Sequence, residues 1–454
     1  MTLSVLPVTD LAAAVAGPVL TPDHPDYAAE IAGFNLAVTA APAVVVGATD
    51  AQDIATAVAW AADAGLRVTV QATGHGLSDD LAGTLLVSTR RLDRVSVDPV
   101  GATATVGAGA RWRAVIDAAA PHGLAPLNGS ASGVGAIGYT LGGGLGPLAR
   151  RFGFAADRVR SLTVVTGDGE IRVVDHDHDP DLFRSIRGGK IGFGIVVEMT
   201  IDLVAVRRLV GGGIFFPGSA AAAVLHAWRR WAPALPVEVG TSVALLRLPP
   251  DPALPPPLQG QFVVHLRFTH LGGDADAAQA LIAPMRDVAP VLADTVGELP
   301  YPAIDAVHMD PTTPLPAYDH GVGIRELPAA AVDAIVATAG AESGSSVTMV
   351  ELRLLGGALA EPADSAVPGR ENPFQAYVLG VPAGPAGAGV PAQVDAVVNA
   401  LRPWAAAGVP NFLGLGGAAD AGRLWSTGQR AELAAVARRY DPQGLFGGAE
   451  LFGG

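Results

Sequence analysis

His75 sits in Gln71-Ala72-Thr73-Gly74-His75-Gly76, where a β-branched run stops in a Gly-His-Gly turn. Such a turn presents backbone N–H groups and an imidazole at one point, and its glycines let the backbone approach a ligand closely. A pyrophosphate suits that nest; the plainer alternative is a β-turn with a surface histidine. A second segment, Gly129 to Gly146, is dense in glycine and small polar residues, among them Gly129, Ser130, Val134, Gly135, Gly138, Thr140, Gly142, Gly143 and Gly144. That composition forms no stable helix or strand unaided and predicts a loop laid along an extended ligand. A flexible linker is a poor reading, because Val134, Ile137, Leu141 and Leu145 are regularly interleaved. Gly133, Gly135 and Gly138 match G-x-G-x-x-G, but they do not lie between a first strand and a first helix, so no dinucleotide fingerprint is read. A third glycine segment, Arg187 to Val197, feeds a strand through Gly194, Ile195 and Val196. Three such segments point to one long, phosphate-containing cofactor.

The elements that position them follow from periodicity. Val44 to Val46 reads as a buried strand, and Asp50 to Gly65 as a helix with Asp50 near its start and Gly65 as C-cap. Arg67 to Gln71, Gly83 to Ser88, Val95 to Asp98 and Thr103 to Val106 read as strands, and Arg111 to His122 as a helix. Leu162 to Thr166 and Ile171 to Val174 flank the hairpin turn Gly167-Asp168-Gly169. From residue 206 the texture changes to longer helices, Pro-rich loops, and strands such as Phe262 to Phe268 and Val347 to Leu355. The tail ends in a helix over Gly428 to Tyr440.

Composition narrows the chemistry. The 454 residues suffice for two or three domains, and half of them are hydrophobic. A net charge of -14 argues against a nucleic-acid partner. With no cysteine, disulfides, thiolate nucleophiles and Cys-ligated metals are excluded. The apolar run Leu11 to Leu20 contains Gly17 and Pro18 and is far shorter than a membrane span, so a cytoplasmic enzyme is the expectation.

The chain resembles the flavin oxidases of the berberine bridge enzyme type, within the vanillyl-alcohol oxidase superfamily. The resemblance rests on Leu20-Thr21-Pro22 with Tyr27, Phe34-Asn35, Val106-Gly107-Ala108-Gly109, Pro121-His122-Gly123-Leu124, and Thr140-Leu141-Gly142-Gly143-Gly144. It continues through Val165 to Gly169, Asp181-Leu182-Phe183, Arg187-Gly188-Gly189, Leu355-Gly356-Gly357-Ala358 and Tyr440-Asp441-Pro442 with Phe446, all in family order. It implies an α+β protein. A PCMH-type FAD-binding domain of two α/β subdomains would span residues 1–205, with its core at 38–205. An inserted α/β substrate domain carrying an antiparallel sheet would span 206–405, and 406–454 would return to the FAD domain. It further implies FAD bonded covalently through His75 alone, since Ala131 stands where many relatives have a second, cysteine tether. Val134 matches the position that governs oxygen access, and valine there favours an oxidase. Gly76, Lys190-Ile191-Gly192 and Gly447-Gly448-Ala449-Glu450 depart from the family pattern.

A flavin oxidase also needs a base for the substrate proton. Glu351 and Arg353 share a strand face by the period of two. Glu351 between apolar neighbours is expected to have a raised pKa, as suits a base; the alternative is a surface ion pair with Arg353. Tyr139 and Tyr377 are further proton-transfer candidates, against the plainer reading of half-buried core. Asn411, in a segment that returns to the flavin in the family, is read as a partner of the ring or ribityl chain, or as a strand-end cap. Asp175-His176-Asp177-His178-Asp179 puts two imidazoles on one side of an extended segment, yet reads as a charged connector, and no metal is expected. The expected activity is hydride transfer from a small organic substrate to FAD, with reoxidation by O2, in a monomer or homodimer. The alternatives are a dehydrogenase with another acceptor and an enzyme oxygenating a polyketide or phenolic intermediate.

Overall fold

The computed structural model describes residues 7–38, 41–76, 81–272, 274–384, 387–417 and 424–453. Among them the strands form three sheets. The first holds β1 (Val19–Leu20), β2 (Val44–Gly47), β3 (Val68–Gln71) and β4 (Leu85–Ser88), in the order β1-β2-β4-β3. β4 runs parallel to both β2 and β3, and β1 closes an edge antiparallel. The helix Ala51–Ala64 carries the chain from β2 to β3. It starts where the Asp50 carboxylate accepts from the Asp53 amide at 2.8 Å and stops at Gly65, whose φ of 69° is left-handed. Its buried face, Ile54, Ala57, Val58 and Ala61, covers β2 and β4.

The second sheet is antiparallel throughout. It holds β5 (Val95–Asp98), β6 (Thr103–Gly107), β7 (Val159–Val165), β8 (Ile171–Val174) and β9 (Ile195–Asp202), in the order β5-β6-β9-β7-β8. The β7–β8 turn is fixed by Asp168, which accepts from the Thr166 hydroxyl and the Glu170 amide, and by Gly169 at φ 78°.

The third sheet has nine strands: β10 (Arg208–Pro217), β11 (Val239–Arg247), β12 (Phe262–His270), β13 (Ala293–Asp294), β14 (Gly297–Pro300), β15 (Tyr318–Ile324), β16 (Met349–Leu354), β17 (Phe374–Gly380) and β18 (Ala405–Ala406). Its order is β13-β10-β12-β11-β16-β17-β15-β18, with β14 also on β10, and every pairing is antiparallel. One face, including Ile214, Val243, Leu245, Val264, Leu266, Val350, Leu352 and Val378, packs against helices Ala221–Trp231, Ala275–Arg286, Ala329–Ala339 and Val390–Leu401. Each fully buried Val or Leu there contributes about 1.5–3 kcal/mol, which pins the register. The period of two then turns Ser242, His265, Arg267, Glu351, Arg353, Gln375 and Tyr377 to the other face.

Two expectations about local structure are corrected. Arg111 to His122 is not one helix: Trp112–Ala119 is α-helical and Ala120–His122 is a 3₁₀ turn, because Pro121 lacks an amide hydrogen and Gly123 takes φ 72°. The glycine segment is not wholly loop either. Ala136–Leu141 forms a helix, since Ala136, Ile137 and Leu141 are buried in a core that also holds Trp112 and Leu182. Packing there outweighs the poor helix propensity of Gly138.

Candidate active site

The His75 turn is built against the segment before β2. Gln71, the last residue of β3, donates through Nε2 to the Ile31 and Ala32 carbonyls at 3.2 Å each. Gly74 has φ 68°, and a Cβ there would lie 2.5 Å from the Gly33 Cα, so the turn presses onto residues 33–34. The Phe34 ring stacks on His75 with centroids 3.9 Å apart and 11° between planes. The Thr73 hydroxyl lies 2.8 Å from His75 Nδ1 and orients the imidazole. Burial, and after it the Arg111 charge, pushes His75 down to about 4. The ring is therefore neutral at pH 7, and a neutral imidazole carries one basic nitrogen that can act as a nucleophile.

All three glycine segments meet at this turn. A Cβ on Gly135 would lie 3.4 Å from the Thr73 hydroxyl, and one on Gly76 would lie 3.5 Å from Lys190 Nζ. Gly194 has φ 142°, and a Cβ there would lie 2.5 Å from the Val165 carbonyl oxygen, so no side chain fits. Ile195 and Val196 follow it into β9 and bury their side chains in two cores, so neither side chain is free to contact a ligand. The second segment is pinned by Asp305, which accepts from the Ser132 amide at 3.0 Å and the Ser132 hydroxyl at 2.5 Å. Ser130, Ala131, Gly133 and Val134 are half-buried, as are Ala72 and Thr73, and a Cβ on Gly135 would also lie 3.8 Å from the Ala72 Cβ. Glycine-lined walls around a neutral imidazole fit an extended nucleotide cofactor.

Thr140 and Tyr139 are both engaged inside the protein. The Thr140 hydroxyl is occupied by the Ala136 carbonyl at 2.8 Å, within its own helix. Tyr139 wedges its ring between Gly129 and Gly144, where a Cβ on either would lie 2.8 Å from it, and meets Trp112 edge-on at 5.6 Å. Its hydroxyl is buried with no partner among the described residues, and burial pushes the phenol far above its ordinary range. Such a group is a poor proton shuttle.

Facing the glycine segments, the nine-stranded sheet carries two rows of polar side chains. Cross-strand register places Arg267, Ser242, Arg353 and Gln375 in one row, and His265, Ala244, Glu351 and Tyr377 in the next. Glu351 is fully buried. Its Oε1 accepts from Arg267 Nη1 at 2.5 Å and the Ser242 hydroxyl at 2.8 Å, and its Oε2 accepts from Arg353 Nε at 2.9 Å. This corrects the expected raised pKa. Burial alone would raise it, but the Arg353 and Arg267 guanidiniums outweigh burial and hold the carboxyl well below the usual carboxylate range. Nor is the pair with Arg353 a surface one. An acid so strong and so fully engaged is a weak base.

Arg353 lies over the Phe412 ring at 4.8 Å and reaches the Leu145 carbonyl at 3.4 Å, which ties the sheet to the glycine segment. Tyr377 stands edge-on to Phe412 at 5.4 Å and donates its hydroxyl to Asp319 Oδ2 at 2.8 Å. Burial first, then Asp319, push that phenol well above its ordinary range. The Leu415 amide holds the other Asp319 oxygen at 3.1 Å. Lys190 has φ 68°, and burial lowers its ammonium pKa while Asp319 opposes the shift.

Asn411 lies in the 3₁₀ turn Pro410–Phe412 and is no strand-end cap. Its Nδ2 donates to the Tyr139 carbonyl at 2.6 Å, and its Oδ1 sits 2.0 Å from where a Gly142 Cβ would be. Gly142→Ala should therefore destabilise the protein by about 1–3 kcal/mol, as overpacking against backbone-tied groups does. Denaturant unfolding would measure it, and an unchanged midpoint would show that Asn411 moves freely.

Arg267, Ser242, His308, Asp319 and Lys190 were not singled out as site residues from sequence. Arg267 was legible: His265 and Arg267 alternate with Val264 and Leu266, the mark of a strand with one polar face. His308 and Asp319 carry no such signal. In the acidic connector, His178 pairs with Asp175 at 2.9 Å and His176 lies 3.4 Å from Asp364. Among the described residues no cluster could hold a metal ion, and no helix is long and apolar enough to cross a membrane.

Residues 42–175 match the FAD binding domain family. An FAD-dependent monooxygenase of Fusarium proliferatum is 37% identical over 175 residues, 38% of this chain and 34% of that protein. The (R)-6-hydroxynicotine oxidase of Paenarthrobacter nicotinovorans is 26% identical over 305 residues, 65% of this chain and 64% of that one. The chain thus spans less than two thirds of the length of these curated relatives. The solved structure of Physcomitrella patens BBE-like 1 superposes with a TM-score of 0.83 at 19% identity, covering 97% of this chain and 98% of that one.

Proposed function

Since this chain carries an FAD binding domain and has the fold of the berberine bridge enzyme-like proteins, we propose that it is an oxidase that transfers a hydride from a small organic substrate to FAD and is reoxidised by oxygen. The Thr73–Gly76 turn, the Gly129–Gly135 segment and Gly194 would hold the cofactor. When bound, FAD supplies hydride acceptance and the return of electrons to oxygen, with hydrogen peroxide as product.

The observation that carries this reading is the Tyr377–Asp319 pair on the sheet face opposite the glycine segments. The Tyr377 hydroxyl already points its hydrogen at Asp319, so its oxygen keeps lone pairs for a substrate O–H or N–H. As the substrate proton moves to the tyrosine oxygen, the tyrosine's own proton moves to the Asp319 carboxylate. No free tyrosinate is required, which suits a phenol held well above its ordinary range. Glu351 does not take the proton. It fixes Arg353 and Arg267, which floor the site.

We place a covalent flavin tether at His75, supported by its neutral ring and the Thr73 contact. Acid-denatured protein should then be yellow and heavier by one FAD, and His75→Ala should release its flavin on denaturation. Flavin freed from the wild-type chain would rule the tether out. Because the folded pKa of His75 is lowered to about 4, the nucleophilic neutral form persists far below pH 6.5. Flavin attachment to apoprotein should be flat from pH 9 to pH 5 and fall only near 4; a midpoint near the ordinary histidine value would contradict the buried-ring account. The activity is tested by peroxide release across amines, sugars and phenols, together with anaerobic bleaching of the flavin. Bleaching without peroxide in air would indicate a dehydrogenase.

A further inference from the structure

We propose that a cavity beside Glu351 is a binding site for one compact monovalent anion of halide size, bordered by the same arginines that floor the proposed active site. The cavity is about 30 Å³, room for one or two water molecules, and Ser242, Arg267, His308 and Arg353 line it.

Three guanidiniums border the cavity: Arg150 is spent on the Leu235, Pro236, Val239 and Leu355 carbonyls, while Arg267 and Arg353 share a single carboxylate. Glu351 is the sole carboxylate within ion-pair distance of Arg267 and Arg353 among the described residues. Asp310 acts on Arg353 only from beyond that distance. His265 and His308 are held neutral by burial and by the Arg267 charge, so they neither add to nor relieve the excess. One of the Arg267 and Arg353 charges is left uncompensated where little water reaches, a situation that folded proteins avoid unless a counter-ion is present.

The donors are also only part-used. Arg267 is 2% exposed; it spends Nη1 on Glu351 and Nε on His265 Nδ1, leaving Nη2 with no partner among the described residues. Arg353 spends Nε on Glu351 and Nη1 on the Leu145 carbonyl, and its Nη2 is likewise unpartnered. His308 is 7% exposed, and its Nδ1 also lacks a partner. Two guanidinium edges and an imidazole around one small space form a donor cradle. Its volume favours a halide over a carboxylate-bearing molecule.

The test uses the flavin-loaded wild-type protein, prepared without halide. Crystals soaked in sodium bromide should show an anomalous peak at the bromine edge within hydrogen-bond reach of Arg267 and Arg353. In solution, bromide should raise the thermal midpoint saturably, by on the order of 2 °C, above sodium sulfate at equal ionic strength. Arg267→Met should abolish the saturable rise, and the wild-type map decides the matter even if that variant folds poorly. Water alone in the cavity, or equal shifts by bromide and sulfate, would overturn the proposal.

Discussion

Tyr377→Phe should lower the rate constant for anaerobic flavin reduction by about 10²–10⁴-fold, the range lost with a positioned proton acceptor, while flavin content stays at the wild-type level. The phenyl ring keeps the edge-on contact with Phe412, and only the hydroxyl bonded to Asp319 is removed. Asp319→Asn should act in the same direction, because an amide oxygen accepts a hydrogen bond but is not a base at neutral pH. The pH profile separates relay from free tyrosinate. With the phenol held well above its ordinary range, the wild-type rate should show no step near pH 10. A Tyr377→Phe enzyme that bleaches at the wild-type rate would remove this pair from the mechanism.

Glu351→Ala should destabilise the folded protein by about 3–5 kcal/mol, because it strands two buried guanidiniums without their carboxylate. Arg267 and Arg353, 84 and 2 residues away in sequence, both lean on that one group. Glu351→Gln should recover part of the loss by keeping hydrogen bonds to the guanidiniums and Ser242. The carboxyl's folded pKa is depressed below its ordinary 4.5, so the unfolded chain binds the proton first as pH falls. Its contribution is complete above about pH 5 and drains away as pH drops below the unfolded value toward the folded one. Urea midpoints from pH 7 down to pH 3 would measure this, and the Gln variant should lose less with acid than wild type. Equal acid sensitivity in both would assign the loss to other carboxylates.

Several features of the fold could be read residue by residue. The Ala51–Ala64 helix ends where an Asp and a Gly were seen to cap it, since capping is decided within four residues. The β7–β8 turn sits on Gly167-Asp168-Gly169, and Glu351 and Arg353 do share a face. Gly138 misled, because helix propensity is local whereas the burial of Ile137 and Leu141 against distant residues is not. Glu351 misled for the same reason. Its immediate neighbours are apolar, but besides Arg353 on its own strand its partners Ser242 and Arg267 come from β11 and β12.

The sequence alone determined the turn glycines, the strand and helix periods, the absence of thiol chemistry and the grouping of glycine segments that suits a long cofactor. Those are short-range properties, set by φ, by side-chain volume and by spacing along the chain. The tertiary structure decided which charges meet: that His75 is neutral under Phe34, that Tyr377 finds Asp319, and that Glu351 is clamped between two arginines. Proton affinities depend on distances of a few ångströms between residues tens of positions apart, and only the packed sheet fixes those distances.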